Sequence, residues 1–225
     1  MLLWVGVSLI ALWHRHSLLH SIILCLPWLF LLGYFTFFNR LNLGLRYILP
    51  VYPFWCMISA APLHVYSHRW RKSCNWILTG CLLWSLIVVF RIYPHYLAYF
   101  NELVGGPARG YHFLVDSNLD WGQDLKNLKK YMTDRRINHI NLSYFGCADP
   151  SYYGINYDYF PSPRFQPWTS HHQEPDNVKF SRGIYAISAT NLQGTYLKDR
   201  DIYAVFRHRE PKDNIGYSIL IYSYP

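Results

Sequence analysis

Three aspartates, an asparagine and a glutamine fall within one short stretch, at Asp116, Asn118, Asp120, Gln123 and Asp124, with Trp121 among them. Side chains of this kind exchange hydrogen bonds with sugar hydroxyls, and an indole offers a flat face on which a sugar ring can stack. Binding of a sugar or of a sugar acceptor is the functional reading of the stretch. The structural alternative is that Asp120 and Asp124 are helix-start carboxylates favoured by the helix dipole. Asp116, Asn118 and Asp120 also imitate the opening of a calcium loop. However, the glycine comes one place late, at Gly122, and Asn127 stands where the closing glutamate is needed, so no metal is expected.

A second constellation lies earlier, where Arg40, Arg46, Tyr47 and Tyr52 flank a short polar loop between apolar runs. A guanidinium suits bidentate phosphate binding, but arginine stems that snorkel and tyrosines of an aromatic belt explain the same residues without a ligand. Neither His14 with His16 nor His171 with His172 has metal-ligand spacing. Asn141-Leu-Ser143 matches a glycosylation acceptor but falls inside an expected strand. There is no Gly-rich phosphate loop, nucleophile elbow or Cys-x-x-Cys motif, so nucleotide chemistry and serine hydrolysis lack support and no cofactor is expected.

The elements that must position these residues follow from periodicity. A short strand is expected at 112–115, leading through Asp116 to Asp120 into a helix over 121–132 whose buried face carries Leu125, Leu128 and Met132. Asp120 and Gln123 have capping-box spacing. Further strands are expected around Ile140, Leu142 and Tyr144 and at 183–188, 202–206 and 217–222, with a short helix in 190–197. The stretch 156–182, rich in proline, aromatics and histidine, reads as a long surface loop.

All 13 acidic residues lie at or beyond Glu102, so the first hundred residues are apolar runs separated by short cationic loops. A net charge of +8 might suggest nucleic acid, but the cations are spread among apolar runs or acids, and no nucleic-acid partner is expected. Residues 17–39, 47–67 and 73–90 each approach the ~20 residues that cross a bilayer, and 1–13 reads as a shorter fourth span. The expected fold is a membrane α-helical bundle of about four spans over 1–92, an interfacial amphipathic joint over 93–110 and a small α/β extramembrane domain over 111–225. Loop charges place the carboxy-terminal domain on the outer, periplasmic face of an inner or plasma membrane, with membrane lipid as a partner. Of the five cysteines only Cys147 lies beyond the apolar half, so that domain is not expected to hold an internal disulfide.

Three stretches read together carry a family resemblance: Arg46-Tyr-Ile-Leu-Pro-Val-Tyr-Pro-Phe54, Tyr93-Pro-His-Tyr-Leu-Ala-Tyr-Phe-Asn-Glu-Leu-Val-Gly-Gly-Pro107 and Leu114-Val-Asp-Ser-Asn-Leu-Asp-Trp-Gly-Gln-Asp-Leu125. The chain resembles the carboxy-terminal region of bacterial lipid-carrier-dependent glycosyltransferases. That group is similar to the dolichyl-phosphate-mannose protein mannosyltransferases of the C-type glycosyltransferase superfamily. The resemblance implies transfer of a sugar from a polyprenyl-phosphate donor to an acceptor at the outer face, with Arg46 and Tyr47 contacting the donor phosphate. It also implies a catalytic carboxylate on an early outer loop. No Asp or Glu precedes Glu102, so no catalytic residue is assigned and the chain alone is expected to be inactive, needing an amino-terminal catalytic half or a separate subunit. The alternative expectation is a noncatalytic membrane-anchored binding or assembly module.

Overall fold

The computed structural model describes residues 18–38, 49–65, 68–163 and 178–225. The chain divides into two compact units, Met1–Tyr93 and Pro94–Pro225.

The described part of the first unit is helical: α1 (Leu18–Phe37), α2 (Tyr52–Val65) and α3 (His68–Ile92). Trp28 of α1 and Trp55 of α2 meet edge to face, with ring centroids 6.5 Å apart. The expected four-span bundle is not what these helices form. Among the described residues only Lys72–Ile92, 21 residues within α3, is long and apolar enough to cross a membrane. Its rise is about 30 Å, one hydrocarbon thickness. Shorter apolar helical stretches run over Cys25–Phe37 and Leu49–Ile58. Pro27 lies inside α1, and α2, at 14 residues, is shorter than the ~20 that cross a bilayer. The expected span over 1–13 lies outside the described residues.

The second unit is built on a five-stranded mixed sheet in the order β2-β1-β3-β5-β4. Its strands are β1 (Ile140–Ser143), β2 (Tyr157–Tyr159), β3 (Gly183–Ser188), β4 (Asp213–Ile215) and β5 (Ile219–Tyr224). β1 runs parallel to β2 and β3, whereas β5 runs antiparallel to both β3 and β4. The two-residue side-chain period sorts the central strands onto two faces. Ala186, Ile219 and Ile221 join Leu125, Leu128 and Met132 of α4 (Leu125–Asp134) in one core. Tyr185, Ile187, Leu220 and Tyr222 join Leu192 of α5 (Ala189–Leu192), Leu197, Tyr203 and Phe206 of α6 (Ala204–Arg207) in the other. Burial on both faces is why β3 and β5 read as near-continuous apolar runs.

A third, smaller cluster matters most for the site. Ala98, Leu119 and Ala189 are buried together, with Phe100, Tyr111, Val115 and Tyr217 packed around them. It fixes the aromatic stretch after Pro94 and the polar turn at 116–124 against the carboxy-terminal ends of β1 and β3. Two expected strands are not formed. Of 112–115 only His112 lies in an element, the end of the 3-10 helix Pro107–His112, and 202–206 leads into α6, which starts at Ala204. A four-residue apolar run satisfies either period, so sequence alone does not separate the two.

Candidate functional site

The turn at 116–124 is assembled by its own polar side chains. Asp116 opens it with φ at 56°, a left-handed conformation that aspartate tolerates better than most residues. Its N–H donates to Thr190 Oγ1 at 3.0 Å, and its carboxylate accepts from Tyr196 Oη at 2.8 Å. The peptide at 116–120 winds once, with Asp120 N–H donating to Asp116 O at 2.7 Å. Asn118 Nδ2 reaches back to Val115 O at 3.4 Å. Trp121 Nε1 donates to Ser117 O at 3.1 Å, which holds the indole against the turn while more than half of it stays exposed.

The expected capping box takes a different form. Asp120 Oδ1 accepts from Gly122 N–H at 3.0 Å, and Gln123 Oε1 accepts from Trp121 N–H at 2.8 Å. These two bonds close the turn before the helix, and α4 starts later than expected, at Leu125. Gln123 Nε2 also donates to Leu119 O at 3.1 Å. Gly122, with φ at 72°, is held by Tyr144, whose hydroxyl donates to its carbonyl at 2.6 Å.

Both inner aspartates are shut away from water. Asp120 is fully buried, and burial pushes its carboxyl up to about 7 against the opposing pull of the Gly122 N–H and of the Thr190 N–H and hydroxyl. The negative charge of Asp124 pushes it in the same direction as burial. Asp120 Oδ2 makes no hydrogen bond of ordinary geometry, although Thr190 is close enough to favour its charge. Asp124 is also buried, and its oxygens accept from Asn127 Nδ2 and Ser218 Oγ, both at 2.7 Å. His95 Nδ1 lies 3.9 Å from Asp124 Oδ1, with the imidazole edge-on to Tyr217. Burial and the neighbouring Asp120 raise the Tyr144 hydroxyl above its ordinary range, so it stays a proton donor.

The six candidates therefore do not converge on one ligand. Asp116 faces Tyr196, Asp120 turns inward to Thr190, and Asn118 serves its own turn. Gln123 and Asp124 line a cavity of about 240 Å³ together with His95, Tyr96, Asn127 and Gly216. Trp121 stands exposed at the turn's surface. His95 and Ser218 had not been singled out in the sequence. Ser218 is 94 residues from Asp124, and no local pattern links the two. Arg46 and Tyr47 lie outside the described residues, as do Trp168, His171 and His172. Among the described residues no group of three or more His, Cys, Asp or Glu side chains could hold a metal ion.

Comparison of the chain with protein-family models, curated proteins and solved structures found no match in any of the three.

Proposed function

We propose that this chain is the carboxy-terminal part of a membrane glycosyltransferase that moves a sugar from a polyprenyl-phosphate donor to an acceptor at the outer face. The single observation that carries the reading is the turn at 116–124. Its buried carboxylates and clamped glycine present Trp121 and Gln123 at the surface beside a cavity of mixed polar and apolar lining, an arrangement suited to holding a sugar acceptor. Membrane attachment through Lys72–Ile92 is supported by a helix that is apolar all round. Trp76, Leu82, Leu83, Trp84, Ile87 and Phe90 are all exposed on it, and a surface of this kind needs lipid or protein to cover it. Arg46 and Tyr47 are proposed to contact the donor phosphate. The catalytic carboxylate is assigned to an amino-terminal half or a partner subunit, because every acidic residue of this chain lies at or beyond Glu102.

A noncatalytic binding or assembly module is the second reading. It is favoured by the internal hydrogen bonds that already engage Asp116, Asp120 and Asp124. Turnover of a radiolabelled polyprenyl-phosphate-linked sugar separates the two. The purified 225-residue protein is expected to give no transfer alone and measurable transfer when co-expressed with a polypeptide that carries an outer-loop aspartate. In that reconstituted system Trp121→Ala should lower transfer about tenfold, the loss of roughly 1.4 kcal/mol of acceptor contact. Transfer by the chain alone would overturn the assignment of the base elsewhere, and transfer unaffected by Trp121→Ala would remove the turn from the acceptor site.

A further inference from the structure

We infer that the cavity bounded by His95, Tyr96, Gln123, Asp124, Asn127 and Gly216 is a binding site for a single small polyhydroxylated ring of hexose size. The inference deepens the acceptor-side reading above and rests on it only for the expectation that a sugar is the physiological occupant.

The cavity of about 240 Å³ lies just below the roughly 300–1,000 Å³ typical of drug-sized sites, which leaves room for one ring and little more. The lining determines what kind of ring. Two carboxamides, Gln123 and Asn127, offer both donors and acceptors from exposed positions. Behind them Asp124 is buried, with one acceptor direction on each oxygen already filled by Asn127 and Ser218. The Asp124 side chain is only 2% exposed and is closed in by Ser218 and Gly216, so it orients the Asn127 amide toward the cavity instead of meeting a ligand itself. His95, 3.9 Å from Oδ1, supplies a polar group that can donate or accept beside the carboxylate. Pro94, Leu97 and the half-exposed ring of Tyr96 complete the lining with apolar surface for the C–H face of a sugar.

Alternating hydroxyls on one edge and C–H groups on the other match this two-sided lining. Beyond the internal bonds they already make, Gln123 and Asn127 each keep a second N–H and a further oxygen lone pair, which a purely apolar ligand would leave unmet. The backbone has been shaped to keep Asp124 in place. Gly216 has φ at 59°, and a side chain there would run into the Asp124 carboxylate, so the glycine is what lets the carboxylate and the chain before β5 occupy the same corner. His95 is fixed from its other side by the edge-on ring of Tyr217.

The full-length protein in detergent micelles is titrated with methyl α-D-mannopyranoside and methyl α-D-glucopyranoside, and binding is followed by saturation-transfer NMR. At least one of them should bind with Kd on the order of 1 mM, as a single ring of this size permits. Asn127→Leu and His95→Leu should each weaken that binding at least tenfold. Asn127 is exposed on α4 but also donates to the buried Asp124, so a near-UV circular dichroism spectrum matching that of the unmutated chain is required before its lost binding counts. Failure of both glycosides to bind at 50 mM, unchanged affinity in the Asn127→Leu protein, or equal competition by glycerol would each overturn the inference. Glycoside binding without transfer in the reconstituted enzyme would leave the site standing and remove the glycosyltransferase reading instead.

Discussion

Replacing Gly122 with alanine is expected to cost about 3–5 kcal/mol of stability. Gly122 has φ at 72°, and a Cβ there would meet the Tyr144 hydroxyl, lie 2.6 Å from Gly146 Cα and lie 2.8 Å from Phe145 O. Two of those three neighbours are backbone, so rotation of a side chain cannot relieve the overlap. Nor is that backbone free to retreat, because Phe145 N–H donates to Ser188 Oγ at 2.9 Å and ties it to the end of β3. Gly154 provides the control. Its φ of 69° imposes a similar backbone penalty, but its nearest neighbour is the flexible end of Lys129 at 3.7 Å. Gly154→Ala should therefore cost only about 1–2 kcal/mol, the left-handed penalty by itself. Urea unfolding of the full chain, followed by the near-UV signal, measures both. Equal losses at the two sites would mean that the close approach of 122 to 145–146 is not rigid. The expected loss has a functional side too, since Trp121 and Gln123 flank Gly122 and would move with it.

That approach could not have been foreseen from Gly122 alone, and it shows where the sequence stopped being informative. The alternation at Ile140, Leu142 and Tyr144, the apolar run in β3 and the i, i+3, i+7 pattern of Leu125, Leu128 and Met132 each announce an element, because burial follows the period of the backbone. β4, Asp213–Ile215, is short and polar and gives no such signal, since its place in the sheet comes from pairing with β5. The first unit shows the opposite error. Apolar composition over 17–39 and 47–67 suggested two spans, whereas among the described residues only Lys72–Ile92 is long and apolar enough for one, and α2 is 14 residues long. At the site, the crowding of polar residues in 116–124 was visible. Which of them face inward was not, because Thr190, Tyr196 and Ser218 reach the turn across at least 74 residues of chain. His95 was invisible for the same reason. A histidine in an aromatic stretch acquires its role only when the fold sets it beside Asp124.

Asp120 makes the inward-facing part of the turn measurable through pH. Its carboxyl titrates near 3.8 in an unfolded chain and near about 7 in the folded protein. Between those values the native state keeps a proton that the unfolded state has released. The stability contributed by this group is therefore complete below about pH 4 and is lost as pH rises through about 7. The decline between pH 5 and pH 8 should be roughly 2–3 kcal/mol at about 1.4 kcal/mol per pKa unit. The geometry gives the reason for the direction. Asp120 Oδ1 has the Gly122 N–H, but Oδ2 lacks a well-formed hydrogen bond in a fully buried site, so ionisation leaves charge where little compensates it. The unmatched oxygen is the one on which a proton is best placed, with the Thr190 hydroxyl beside it able to accept. Asp120→Asn removes the titration while keeping an oxygen for Gly122. Its amide then faces the Thr190 N–H, so the variant can differ from the native protein in absolute stability. The slope is the decisive reading: the fall from pH 5 to pH 8 should flatten by most of those 2–3 kcal/mol in urea unfolding of the full chain. Identical slopes would show that Asp120 is ionised in the folded protein at pH 5, and a carboxyl ¹³C titration of the unmutated chain would then find its pKa near 4. If the slope does flatten, the turn that carries Trp121 is held most firmly when Asp120 is protonated.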